Sequence, residues 1–425
     1  MSNRTSSIVA TRGTLRLNGD RGHGRQESEI LQATEARRLL AGIRELAPII
    51  KRRAAEIETE RRVPQDLLEA LKSLGVFRIF IPYSRGGLEL DLPRGLEIIE
   101  ALATIDGSVG WTAMIGSGSH LFAPLLPHET YDQVYRAEAD VMLAGSIQPV
   151  GTAEETEGGW RVSGRWPFAS GCVHADWMAG FCVMRRGGET LPDPVNPKAP
   201  LIRAAFMPAR DWEIEDTWHA AGLKGTASHH IVLRDKLVPS THFLELAHGR
   251  PCVSGPLYQS VEPLLPIVHG SFSVGVAQGA LDDIVEMAAT GRQQFRAAVP
   301  MRESEIFQAE LGRIAADLKA AKAFLQAEAA RLWRRALMGT LKDESLLVEA
   351  ALAGTWIATT CVHIADACFT LGGGSAVYDS SPLQRRLRDL HVAAQHATVH
   401  RRNYTPAGKL LLSPPGPHLD RGREQ

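Results

Sequence analysis

Between Phe307 and Leu325 the chain sets Phe307, Leu311, Ile314, Leu318, Ala321 and Leu325 at three- and four-residue spacing, with no proline and no glycine after Gly312. That spacing follows the helical turn and gives one long apolar stripe, which has to be buried in a bundle of four or more helices. Helical texture holds from about Leu264 to Leu411, and also from Glu29 to about Glu138. In the earlier stretch Pro64 starts and Gly75 stops a helix whose Leu67, Leu68, Leu71 and Leu74 share a face. A further helix is expected over Leu96 to Thr104, with Asp106 and Ser108 as caps for the next. From about Val141 to Phe243 the texture changes to short apolar runs broken by Gly, Pro and Asp, the signature of a small β-barrel or sandwich. The fold class is therefore α+β, mostly α. The expected division is a disordered tail over 1–27, an N-terminal helical domain over 28–140, a middle β-domain over 141–245, a C-terminal helical bundle over 246–412 and a flexible tail over 413–425.

Composition narrows the function classes. The chain has 425 residues, 44% hydrophobic and 22% charged, with a formal net charge of −1. No overall field favours nucleic acid or an anionic membrane, and no run of 18 apolar residues suggests a membrane span. The five cysteines, at 172, 182, 252, 361 and 368, are scattered and form no C-x-x-C pair. That argues for a reducing, cytoplasmic setting and against a zinc ribbon. Acid-poor residues 1–25 read as a disordered tail, with a transit peptide as the minority reading.

Near the C-terminus, Leu371-Gly-Gly-Gly-Ser375 is followed by a Pro-started helical segment carrying Arg385, Arg386, Arg388, Asp389, His391 and His396. Glycines allow close backbone approach, and arginines beside a helix start suit a phosphate-bearing cofactor. Histidines add groups that ordinarily titrate near neutral pH. On a continuous helix His391 and His396 lie about 140° apart and cannot share a face. His396 and His400 have i,i+4 spacing but no acidic companion, and His229-His230 point to opposite faces of a strand, so no metal site is expected.

Several segments, in order, resemble the acyl-CoA dehydrogenase family over roughly residues 30–410. Thr290-Gly-Arg292-Gln-Gln-Phe295 resembles its Arg-x-Gln-Phe-Gly signature, with Arg296 in place of the glycine. Gly222-Leu-Lys-Gly-Thr226-Ala-Ser228 with Val238-Pro239 resembles the closure of its β-domain, and Leu371-Gly-Gly-Gly resembles its cofactor-side glycine loop. The family's glutamate base is missing after Arg388-Asp389, where His391-Val-Ala-Ala-Gln-His396 stands instead. That departure, with Ile105-Asp-Gly-Ser-Val-Gly-Trp111, His120 and Trp166-Pro-Phe-Ala-Ser170-Gly, is similar to the oxygenase components of two-component flavin monooxygenases, such as p-hydroxyphenylacetate hydroxylase and dibenzothiophene monooxygenase.

The resemblance implies an NAD(P)H-dependent flavin reductase partner, reduced FMN or FAD as cofactor, a C4a-hydroperoxyflavin oxidant and hydroxylation of an aromatic or polycyclic small molecule. It also implies site roles. His396 is the catalytic position, with His391 second; His120, Trp111 and Ser146 meet substrate; Ser170 faces flavin N5. Trp166, Phe168 and Ser146 lie along the flavin, and Arg292, Phe295, Gly373 and Gly374 bind it, Arg292 reaching a neighbouring subunit in a homotetramer. For each histidine a packing role stands beside the functional one. The alternatives are an acyl-CoA dehydrogenase-like FAD enzyme with a displaced base and a non-catalytic scaffold or ligand-binding protein of the same fold.

Overall fold

The computed structural model describes residues 21–136 and 139–412. Residues 1–20 and 413–425, expected as tails, lie outside the described residues. Helix begins at Arg21, so residues 21–27, also expected as tail, already belong to the first helix.

The N-terminal layer is α1 (Arg21–Arg52), α2 (Ala54–Glu60), α3 (Gln65–Leu74), α4 (Leu92–Ile105), α5 (Gly107–Gly118) and α6 (His128–Val134). Gly75 ends α3 at φ +94°, its N–H donating to the carbonyls of Leu71 and Lys72. α4 starts four residues before the expected Leu96, because Asp91 caps it by accepting from Arg94 N and Pro93 fits its first turn. Asp106 caps α5 through Val109 N at 3.0 Å, while Ser108 is buried inside it and accepts from Gly225 N at 3.1 Å.

Eight strands follow: β1 (Leu143–Thr156), β2 (Gly159–Ala169), β3 (Trp177–Arg186), β4 (Glu189–Thr190), β5 (Ile202–Pro208), β6 (Glu213–Glu215), β7 (His229–Val238) and β8 (Phe243–Leu244). They join in one sheet of order β6-β7-β2-β1-β3-β5-β8, with β4 beside β3; only β1 and β3 are parallel. Trp160, Trp166, Trp212, Ile231 and Val238 form one core of this sheet. Leu143, Phe181, Ala204, Phe206 and Leu244 form another, shared with Tyr131 and Tyr135 of the N-terminal layer.

The C-terminal helices are α7 (Leu265–Ala289), α8 (Glu305–Leu337), α9 (Glu344–Gly372), α10 (Pro382–Ala393) and α11 (Tyr404–Leu412). The stripe on α8 is buried at Phe307, Ile314, Leu318, Ala321 and Leu325, with Leu311 at its edge. Helix α9 is long and apolar enough to cross a membrane by length and composition. Its Ala350, Ala353, Ile357, Cys361, Ile364 and Cys368 instead join the main core, and α7, α8 and α10 pack on it.

The arginines of α10 serve the fold. Arg386 is buried, donating to Asp283 at 3.0 Å and to the carbonyls of Ala103 and Ile105 at 3.2 and 3.0 Å. Arg388 donates to Glu58, to Gln384 and to the Ala221 carbonyl. Asp389 accepts from Leu223 N at 2.6 Å, and a side chain at Gly222 would collide with the Arg388 carbonyl. These contacts tie the bundle to the N-terminal layer and to the Gly222–Ser228 turn, so Arg386 and Arg388 are not free for a phosphate.

Candidate active site

Where the N-terminal layer, the sheet and the start of α7 meet, there is a cavity of about 740 Å³. Its walls are mainly apolar (Met114, Phe122, Leu143, Phe181, Phe206, Val268), with polar groups contributed by Ser146, Gln148, Ser170, Ser228, His269, His391, Gln395, His396, Thr398, His400 and Arg402. That mix of walls and few convergent polar groups suits a small organic ligand. Among the described residues no Asp or Glu borders it, and Arg402 is its one permanently charged side chain.

The sheet presents its residues here through two irregularities. In β1 the pairing with β3 shifts register between Ser146 and Gly151, which leaves Ile147 and Gln148 facing the cavity. In β2 the pairing with β7 shifts between Trp166 and Ala169, where Pro167 and Phe168 together oppose the single residue His230. Strict alternation would put Trp166 and Phe168 on one face; the bulge separates them. Trp166 is fully buried in the sheet core, its Nε1 donating to the Phe181 carbonyl at 2.7 Å, so the flavin-side position expected for it is not where it lies. Phe168, held at φ +63°, turns its ring into the cavity and remains 56% exposed. An aromatic face kept uncovered at a strained backbone position has the form of a platform for a planar ring.

Ser170 follows the bulge, buried at the cavity wall. It accepts from Trp111 Nε1 at 3.0 Å and contacts Ser228 Oγ at 2.7 Å. Trp111 itself borders the cavity edge-on to Phe272, His269 and His396.

Helix α10 ends at Ala393, so the continuous-helix argument that separated His391 from His396 fails: both border the cavity. His391 is the outer of the two, its Nε2 2.8 Å from Asp366 Oδ1. His396 caps the short turn Ala397–Val399, its Nδ1 accepting from Thr398 N and lying 2.8 Å from Thr398 Oγ1. A backbone N–H can only donate, so Nδ1 carries no proton and Nε2 holds it. Burial pushes His396 down to about 4, which keeps this neutral tautomer at physiological pH.

A third histidine was missed from sequence. His269, one turn into α7, is buried, donates from Nε2 to the Ala393 carbonyl at 3.0 Å and has its ring tilted 35° to that of His396 at a centroid distance of 5.7 Å. Burial pushes it down to about 3. Its bond holds the last turn of α10, from which His396 hangs. The one sequence signal was a polar residue on the inward stripe of an apolar helix.

Other expected residues lie elsewhere. His120 is fully buried behind the wall, bonded through Nδ1 to Tyr135 Oη at 2.8 Å and through Nε2 to the Val141 carbonyl at 3.0 Å, and burial pushes it to about 3; it packs the fold and does not meet the cavity. Arg292, Phe295, Gly373 and Gly374 lie beyond the far end of α7, where Gln294 Nε2 donates to the Leu371 carbonyl at 2.8 Å. The 25 residues of α7 span about 37 Å, so this cluster is remote from the cavity of its own chain. Among the described residues no group of three His, Cys, Asp or Glu is placed to hold a metal.

Comparison with known proteins places the chain in a family. Residues 33–133 match the model "Acyl-CoA dehydrogenase, N-terminal domain" and residues 267–401 match "Acyl-CoA dehydrogenase, C-terminal domain". The chain is 32% identical over 377 residues to an indole-3-acetate monooxygenase of Pseudomonas putida, covering 88% of this chain and 92% of that protein. It is 27% identical to the flavin-dependent monooxygenase oxygenase subunit HsaA of Rhodococcus jostii, covering 83% and 92%. The solved structure of XiaF from Streptomyces, in complex with FADH2 and glycerol, superposes with a TM-score of 0.82 at 27% identity, covering 92% and 98%.

Proposed function

The chain belongs to the acyl-CoA dehydrogenase family, among its flavin-dependent monooxygenase oxygenase components, and from that premise we propose that it oxygenates an aromatic small molecule in the cavity bordered by Phe168, Ser170 and His396. The observation that carries the reading is the absence, among the described residues, of any carboxylate at the cavity. α,β-Dehydrogenation of a thioester needs a base there to take the α-proton; oxygen insertion does not. Reduced FMN or FAD, when bound, supplies the two electrons with which O₂ delivers one oxygen atom to substrate and the other to water. The flavin comes from a separate reductase, as the two-component family requires.

The residues fit such a group. The uncovered Phe168 ring offers a stacking face, and Ser170 offers a polar contact beside it. His396 holds a proton on Nε2 at the cavity edge, where it can donate a hydrogen bond without carrying charge. Apolar walls keep bulk water from competing. Arg402 stands at the rim with no acidic partner among the described residues, its Nε donating to His400 Nδ1 at 3.1 Å. A guanidinium so placed suits a substrate with a carboxylate arm, such as the indole-3-acetate for which a relative is named.

The remote Arg292–Gly374 cluster supports a homotetramer, or at least a dimer, in which each cluster completes a partner's flavin site. The free, mostly buried cysteines suit a cytoplasmic setting. The test supplies NAD(P)H, a flavin reductase, FMN or FAD and indole-3-acetate. Product that depends on the reductase is expected, with no dye reduction by acyl-CoA thioesters; acyl-CoA-driven dye reduction would restore the dehydrogenase alternative.

A further inference from the structure

We propose that His269 is a positioning residue for His396: through the Ala393 carbonyl, its Nε2–H sets where the His396 ring stands at the cavity edge. The inference deepens the functional reading above and rests on the role given there to His396.

His396 stands beyond the end of α10, and its Nε2 makes no hydrogen bond to the described residues. The bonds of Nδ1 stay within its own turn, at Thr398, so the ring goes wherever that turn goes. The turn is tied down on two sides. After His396, Asn403 Nδ2 donates to the carbonyls of Ala397 and Thr398 at 3.2 and 2.9 Å. Before it, the Ala393 carbonyl receives two donors, the backbone N–H of His396 and Nε2 of His269, each at 3.0 Å. The two lone pairs of a single oxygen thus join α7 to the backbone of His396.

The His269 donor is itself fixed. A carbonyl only accepts, so Nε2 carries the proton and Nδ1 is bare, 3.3 Å from the Ser273 hydroxyl. The ring is buried, edge-on to Trp111 at 5.5 Å and to Phe272 at 6.1 Å between centroids. Trp111 in turn lies edge-on to Phe272 at 5.0 Å and to His396 at 5.8 Å. The rings hold one another, and the one His269 proton is committed to the Ala393 carbonyl.

If His269 only packed, its ring would be the part that matters. The shared carbonyl makes the N–H the part that matters, and substitution separates the two. Phenylalanine keeps a ring and loses the donor. Glutamine loses the ring but carries an amide N–H as many bonds from Cα as Nε2.

The test compares His269→Phe, His269→Gln, His396→Ala and the His269→Phe/His396→Ala pair, supplied with NAD(P)H, a flavin reductase, FMN or FAD and indole-3-acetate. Product per NAD(P)H and melting temperature are measured, with amide hydrogen exchange of residues 394–399 in the flavin-free chain. His269→Phe should fold, exchange faster there and give about tenfold less product, the scale of one lost hydrogen bond. His269→Gln should recover product to within about threefold of wild type. In the His396→Ala background, His269→Phe should add no loss beyond about twofold, because it acts through His396. If His269→Phe does not fold, His269→Leu, which also lacks the donor, takes its place in both backgrounds. A folded donorless variant with full product overturns the proposal, as does a His269→Gln no better than it. So does a loss that adds in full to that of His396→Ala. Wild-type product from His396→Ala brings down the proposal together with the role of His396. A wild type that makes no product brings down the functional reading, and exchange alone then judges His269: unchanged exchange in the donorless variant sinks it, and faster exchange reversed by His269→Gln sustains it.

Discussion

His396 is neutral where an unperturbed imidazole would be half charged, and this changes what can be asked of it. Its contribution to stability is present above the usual imidazole range and is lost as pH falls through about 4. The yield of product per NAD(P)H should therefore stay level from pH 8 to about 5, without a break near 6.5; a titration of coupling against pH checks this. His396→Ala removes the Nε2–H at the cavity edge. It should keep reduced-flavin binding but divert reducing equivalents to H₂O₂, lowering product formation on the order of 10²–10⁴-fold. His391→Ala, at a rim position paired with Asp366, should do less; peroxide and product assays on both variants rank them.

At the scale of elements, β2 decides which aromatic ring meets a ligand. Phe168→Ala should weaken flavin binding about tenfold with little change in melting temperature, since its ring is exposed. Trp166→Ala, which empties the sheet core, should cost about 3–5 kcal/mol of stability; thermal melts and flavin titrations separate the two. The helices were legible because three- and four-residue spacing survives in a single sequence, as on α8, and caps such as Asp106 mark their starts. The bulge was not legible. Period-2 alternation assigns Trp166 and Phe168 to one face, and only the β7 partner reveals the extra residue. Nor was the stop of α10 at Ala393, because neither glycine nor proline marks it, so the two cavity histidines looked incompatible. The Arg385–Arg388 cluster looked like a phosphate site because sequence shows charge but not the acids and carbonyls that meet it from other segments.

At the scale of the whole molecule, about 37 Å of α7 lie between the cavity and the Arg292 cluster. Arg292→Ala should fold and yet lose flavin affinity. Mixed with His396→Ala chains before assembly, it should regain part of the activity if sites are shared between protomers; light scattering and activity of the mixture decide it. Asp389 reports on the same assembly of layers. Burial, then the nearby Asp106, raises its carboxyl to about 7, so its share of stability is complete in acid and declines as pH rises through neutrality. Asp389→Asn should flatten the melting temperature between pH 5 and about 8. The α10 anchors reach far along the chain: Arg386 to Ala103 spans 283 residues and Arg388 to Glu58 spans 330. At about 5–20 residues per second, a ribosome leaves the Ala103 and Ile105 carbonyls without their guanidinium for roughly 15–60 s. A nascent chain that stops short of α10 emerges with its N-terminal helices unlatched, which marks it for chaperones and proteases before it can reach a reductase.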